Sequence, residues 1–143
     1  MSIIADLQTY IKTYTELSEG APVWVDFLGP INTEYSIVPL AGDKILAVYI
    51  NGDSLRTYPF VFRSVESTMS QLEKLENYGF YETFAEWLEE RTYSGNLPTL
   101  DAGKTATEIY VTGWSYLVEE GGSQTGIYQV QCALEYEQDE IIT

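Results

Sequence analysis

Gly103-Lys104-Thr105 has the residue types that close a phosphate-binding loop. The full pattern also needs a glycine five residues before Gly103, and that position is Pro98. Such a loop should follow a strand and open a helix. Here Thr107 to Val111 read as strand, so the segment reads as a loop entering a strand. Glu119 and Glu120 have the look of a glycosidase pair, yet neighbouring strand residues point to opposite faces and are poor partners across one bond. Trp24, Trp87 and Trp114 would suit a sugar platform, but Trp87 falls on an apolar helix stripe. Cys132 sits mid-strand among apolar residues, with no histidine anywhere in the chain to lower its pKa, and reads as core. Asp43, Asp53 and Asp101 are scattered and form no calcium loop. Without histidine there is no His-based general base, triad or zinc site. The expectation is a non-enzyme with no catalytic residue, no metal and no cofactor.

Charge adds a second set of exclusions. Twenty-two Asp and Glu face seven Lys and Arg, a formal net charge of -15. A reader of duplex DNA needs a basic surface to neutralise phosphates, which this balance does not supply. Anionic membrane surfaces are disfavoured for the same reason. A negative surface can instead imitate nucleic acid and occupy a basic protein, or line a passage that a polyanion crosses without sticking. Facing charges remain effective within about 8 Å at physiological salt. The third reading is an ordinary solvated face. The stretch MSIIADLQTY lacks the basic n-region and long apolar core of a signal peptide, and no apolar run approaches the roughly 20 residues of a membrane span. The single cysteine leaves no internal disulfide and favours a reducing compartment.

The elements that must position these residues follow from periodicity. The 143 residues fit one domain, 1–143, able to bury about 70% of its unfolded surface. Residues 2–18 predict an amphipathic helix through Ile3, Leu7, Tyr10, Tyr14 and Leu17, capped by Ser2, with Asp6 in its first turn and Gly20 and Pro22 ending it. Strands are expected over Trp24–Leu28, Tyr35–Leu40 and Lys44–Ile50, the last turning at Asn51-Gly52 into Leu55–Arg63. On that returning strand Tyr58, Phe60 and Phe62 share a face, and Pro59 predicts an edge or a bulge. Ser70-x-x-Glu73 is a capping box. Asn77-Tyr78-Gly79 predicts a helix stop, followed by a second helix with Phe80, Phe84, Trp87 and Leu88 inward and Glu82, Glu86, Glu89 and Glu90 outward. Two long strands, Glu108–Val118 and Gly126–Glu137, close the chain around Glu119–Ser123. The last alternates Tyr128, Val130, Cys132, Leu134 and Tyr136 with Gln129, Gln131 and Glu135, so one face is buried and the other is wet or meets a partner. Residues 136–143 are expected to fray as an acidic tail. The fold class is α+β: a mainly antiparallel sheet with an N-terminal helix and a central helical segment packed against it. Twelve tyrosines suit half-buried sheet faces and subunit contacts.

The order of these pieces resembles the tail-terminator proteins, or phage minor capsid proteins, of long-tailed phages and prophages of Gram-positive bacteria. The similarity runs over roughly residues 2–138, through the amphipathic helix, YSIVPL, VYINGDSLRTYPFVFRS, NYGFYETFAEWLEERTYSGNLPTL and GIYQVQCALEYEQ. It lies in order and spacing, and the family has no catalytic motif to carry over. It implies an α+β subunit of the virion tail, assembled in the bacterial host cytoplasm into a ring, typically of six. The ring stops tail-tube polymerisation and meets the head connector, and DNA passes through its lumen without specific binding and without a membrane. The partners implied are other copies of the chain, the tail-tube protein and the head-connector protein. The expected ring or lumen surfaces are Asn51, Gly52, Asp53, Glu119 and Glu120, with ring contacts through Leu55–Arg63 around Tyr58. The alternative is an acidic DNA mimic or inhibitor that binds a basic protein.

Overall fold

The computed structural model describes residues 3–14, 23–25, 35–40, 44–67, 71–113, 116–120 and 125–139. Its spine is a ribbon of two long antiparallel strands, β4 (Ser54–Ser67) and β7 (Thr125–Gln138), paired in one register from Ser54↔Gln138 to Ser67↔Thr125. Strict alternation lets both strands lay one apolar face on a single core. β2 (Tyr35–Pro39) and β3 (Lys44–Val48) pair with successive parts of β4 on one side. β5 (Lys104–Val111) and β6 (Tyr116–Glu120) pair with successive parts of β7 on the other. β1 (Val23–Val25) adds a parallel pairing beyond β2. The sheet is otherwise antiparallel, and the fold is α+β as expected.

Both helices cover the face that carries Phe60 and Phe62. α1 (Ile3–Ile11) contributes buried Leu7 and Ile11, and α2 (Gln71–Ser94) contributes buried Tyr81, Phe84 and Leu88. Phe62 stacks on Phe84 with ring centroids 4.5 Å apart and on Tyr35 at 5.7 Å. Val130, Cys132, Leu134 and Tyr136 of β7 complete the core from below. Cys132 is fully buried and burial pushes its thiol pKa upward, in keeping with a packing role. A polar pin crosses the same core. Tyr81 Oη donates to the Tyr128 carbonyl at 3.2 Å, so the Ser64 hydroxyl that meets Tyr81 Oη must donate to it.

Several expectations are corrected. β4 is interior, not an edge, and carries no bulge at Pro59. The Pro59 carbonyl accepts from Leu40 N–H at 3.0 Å, so its absent N–H faces the passage from β2 to β3 and the ladder to β7 stays whole. α2 runs unbroken through Asn77-Tyr78-Gly79. A mid-helix glycine costs about 1 kcal/mol, less than the apolar burial flanking it at Phe80, Tyr81 and Phe84 returns. The real stop is Gly95, at φ 78, where Asn96 N–H bonds the Arg91 carbonyl and Gly95 N–H bonds that of Thr92. α1 stops at Ile11, seven residues short, because Thr13 and Tyr14 bond back to Tyr10 and Ile11 and tighten the last turn. Ser2, residues 15–18, Gly20, Pro22, Ser70 and the part of the first strand prediction after Val25 lie outside the described residues. Glu108–Val118 is two strands rather than one. Thr112 and Gly113 both donate to the Gln131 carbonyl and end the β5 ladder. The chain does not fray at residue 136, since β7 runs to Gln138 with Tyr136 buried.

Candidate functional site

The Asn51–Asp53 surface is the tip of the β3–β4 hairpin. An Asn-Gly pair predicts a two-residue turn, but the loop closes one step wider. Tyr49 N–H donates to the Asp53 carbonyl at 2.7 Å and Gly52 N–H to the Tyr49 carbonyl at 3.0 Å. Gly52, at φ 95, takes the left-handed position that follows the turn. Asn51 fixes the tip from within. Its Oδ1 accepts from Asp53 N–H at 3.1 Å and its Nδ2 donates to Asp53 Oδ2 at 3.0 Å. Asn51 and Asp53 are therefore structural turn residues as well as exposed or half-exposed ones.

The other expected positions do not join this tip. Glu119 and Glu120 lie in β6, opposite Ile127 and Gly126 at the far end of the ribbon, and their side chains, with residues 121–123, lie outside what the structure describes. At about 3.3 Å per residue the tip near Ser54 and the β6 end near Glu66 are about 40 Å apart along β4. Tyr58 is half-buried and packs against the core from the middle of an interior strand. The expected ring contact through the edge of Leu55–Arg63 is thus excluded: both of its edges are occupied by strands of the same chain.

What the sequence reading did not single out is the apolar character of that hairpin. Ile45 is 50% exposed, Val48 67% and Ile50 fully exposed, and Leu46 and Tyr49 are also open. The run Ile45–Ile50 is apolar without alternation, the pattern of a strand covered on both faces. A register shift at Leu46, between Ile45↔Arg56 and Ala47↔Leu55, turns this edge away from the flat sheet. Among the described residues no side chain of β3 belongs to the core that the two helices cover.

A second surface lies at the opposite edge. A groove of about 800 Å³ runs between α2 and β5, walled by Glu82, Glu86 and Glu89 on the helix and by Glu108 on the strand. Ala85, Ile109 and Val111 supply its apolar floor, and Tyr93 projects at its rim. The three helix glutamates follow i, i+4, i+7, the outward face legible from the sequence, but the strand that turns this face into a groove was not. Thr92 blocks part of the sheet edge. Its Oγ1 donates to the Ile109 carbonyl at 2.8 Å and accepts from Ile109 N–H at 3.0 Å.

The helix-free sheet face carries Gln129, Gln131, Glu135 and Tyr110, as its alternation implied. Tyr110 Oη donates to Glu135 Oε2 at 2.6 Å, and this bond, helped by burial and the nearby charges of Glu135 and Glu108, pushes its pKa up to about 12. Tyr10 on α1 is also pushed up to about 12, mainly by burial. Trp87 lies between Tyr10 and Tyr14, with Arg91 over its ring at 5.5 Å, so it is a packing residue rather than a sugar platform. Gly103, at φ 86, opens a strand and not a helix, which removes the phosphate-loop geometry. No three His, Cys, Asp or Glu side chains among the described residues are grouped to hold a metal ion. No helix among the described residues is long and apolar enough to cross a membrane. No protein-family model matches the chain, and comparison with curated proteins finds no match.

Proposed function

We propose that this protein is a non-enzymatic assembly subunit, a tail terminator that caps the tail tube of a long-tailed phage or prophage as a ring. The observation that carries an assembly role is the open apolar hairpin. Fully burying one Ile, Leu or Val side chain is worth about 1.5–3 kcal/mol, so a cluster running from Ile45 to Ile50 favours a protein partner strongly. The order of helix, paired strands, long central helix and closing strands supports the terminator among assembly proteins. The long β4–β7 ribbon supports it further, because a cap needs one end for the tube and another for the head connector. The row of exposed glutamates on α2 continues to Glu90, outside the groove, and a chain at a net charge of -15 fits a wall that a passing polyanion does not stick to.

The same glutamate row is the observation behind the second reading, a mimic of nucleic acid that occupies a basic protein. Mass measurement of the purified chain, alone and with tail-tube protein, separates the two. A closed ring, or ring formation on tube ends, is the result expected of a terminator. A chain that stays monomeric with tube protein, yet binds a basic protein in a salt-sensitive way, would establish the mimic instead.

A further inference from the structure

The two unpartnered surfaces are complementary. The hairpin from Lys44 to Thr57 carries Lys44 and Arg56 against Asp53, with Glu137 of β7 beside its tip, so in a chain at -15 this apolar surface has no acidic excess and holds two of the seven basic residues. The groove is walled by Glu82, Glu86, Glu89 and Glu108. The hairpin exposes aliphatic side chains, and the groove offers an apolar floor at Ala85 and Val111 with Tyr93 at its rim. Their positions also match. β3 is the edge beside β4 and β5 is the edge beside β7, so at this end of the sheet they are the two outer strands.

We propose that the β3–β4 hairpin of one copy seats in the α2–β5 groove of the next copy, the contact that links neighbours in the ring. The inference rests on the assembly reading above and names the surface and the partner. Because donor and acceptor surfaces differ, the contact is heterologous: each copy uses its hairpin once and its groove once, which closes into a ring when the rotation permits. Thr92 already holds the Ile109 backbone, so at that point the groove receives side chains rather than an added strand. Ile50, fully exposed at the tip, is the side chain best placed to enter.

Directional cross-linking tests this. Cys132 is buried, so Ile50→Cys and Ala85→Cys each create a single accessible thiol. A short bis-maleimide should join an Ile50→Cys copy to an Ala85→Cys copy in a mixture, and should join neither variant to itself. Self-linking of Ile50→Cys would mean that hairpins pair with each other and would overturn the proposal. Absence of cross-links in the mixture, while the unmodified chain still forms rings, would overturn this contact and leave the terminator reading standing. A chain that stays monomeric alone and with tube protein would overturn both.

Charge supplies an independent readout. Ile50→Asp should weaken self-association by more than about tenfold, and Ile50→Lys should weaken it less, because the groove walls are acidic. Equal loss from both substitutions would show that the glutamates do not face the hairpin.

Discussion

β4 passes through two different environments. From Phe60 to Ser64 its inward side chains are closed over by α2, stacked on Phe84 and pinned through Tyr81. At its other end, where it pairs with β3, the partner strand adds no described side chain to the helix-covered core and leaves Ile45 and Val48 open. Both ends are rich in apolar side chains, so composition does not separate them. The difference is whether this chain supplies the cover. At the closed end Phe60, Val61 and Phe62 are all buried within the chain, whereas the equally unbroken apolar run Ile45–Ile50 is left largely open. The fold satisfies the first demand and leaves the second for another molecule.

The largest expected effect tests that division directly. Phe84→Ala removes a fully buried ring from the stack on Phe62 and should cost about 3–5 kcal/mol in chemical denaturation. Ile50→Ser should change the stability of the isolated chain by no more than about 0.5 kcal/mol while reducing assembly. If Ile50→Ser destabilised the monomer as Phe84→Ala does, the hairpin would be covered from within the chain and the contrast would collapse.

The polar pin sharpens the closed side. Tyr81→Phe strips the Ser64 hydroxyl of its acceptor and the Tyr128 carbonyl of a donor, at a cost of about 1–3 kcal/mol. Ser64→Ala removes the donor that Tyr81→Phe would strand. The double variant should therefore lose less than the sum of the singles, by thermal or denaturant melting of all four proteins.

This contrast also shows which features were legible. The alternation of β7 and the i, i+4, i+7, i+8 stripe of α2 gave the core, because each periodicity matches its element. Pro59 misled, since the rule against proline inside a sheet concerns the missing N–H, and here that N–H falls where β2 hands over to β3. Gly79 misled because local turn chemistry was weighed without the burial on either side of it. For the functional surfaces, Asn51-Gly52 located the hairpin tip, whereas Tyr58 marked packing. The groove was out of reach, because its walls come from helix and strand residues about twenty positions apart that only tertiary pairing brings together.

Alkaline titration compares the two regions through their tyrosines. Tyr10 bonds the Asn96 carbonyl at 2.7 Å on the helix side, and Tyr110 bonds Glu135 on the opposite sheet face. Both are raised from 10.0 to about 12, so the folded chain keeps protons that the unfolded chain releases. Their contribution to stability is complete below pH 10 and falls as the pH rises from about 10 to about 12. Tyr110→Phe and Tyr10→Phe should each flatten that fall, measured as denaturation midpoints across the window. Both rings are half-buried, but the rise at Tyr110 comes chiefly from one bond to a carboxylate and that at Tyr10 chiefly from burial, so the Tyr110 variant should show the smaller change. The reverse order would mean that the bond to Glu135 outweighs the burial of Tyr10.

The smallest effect concerns the helix that joins the closed core to the acidic groove. Gly79 lies inside α2 without a positive φ, and a Cβ built there meets no other atom within 4 Å. Nothing in the packing requires glycine. Gly79→Ala should therefore stabilise the isolated chain by about 0.5–1 kcal/mol, chiefly by restricting the unfolded state. Its effect on assembly should be nil, because Gly79 lies one turn before Glu82 and outside the groove. A gain in stability accompanied by weaker association would instead show that α2 must bend at this residue when the groove is filled, placing a hinge between the region this chain closes for itself and the region its partner closes.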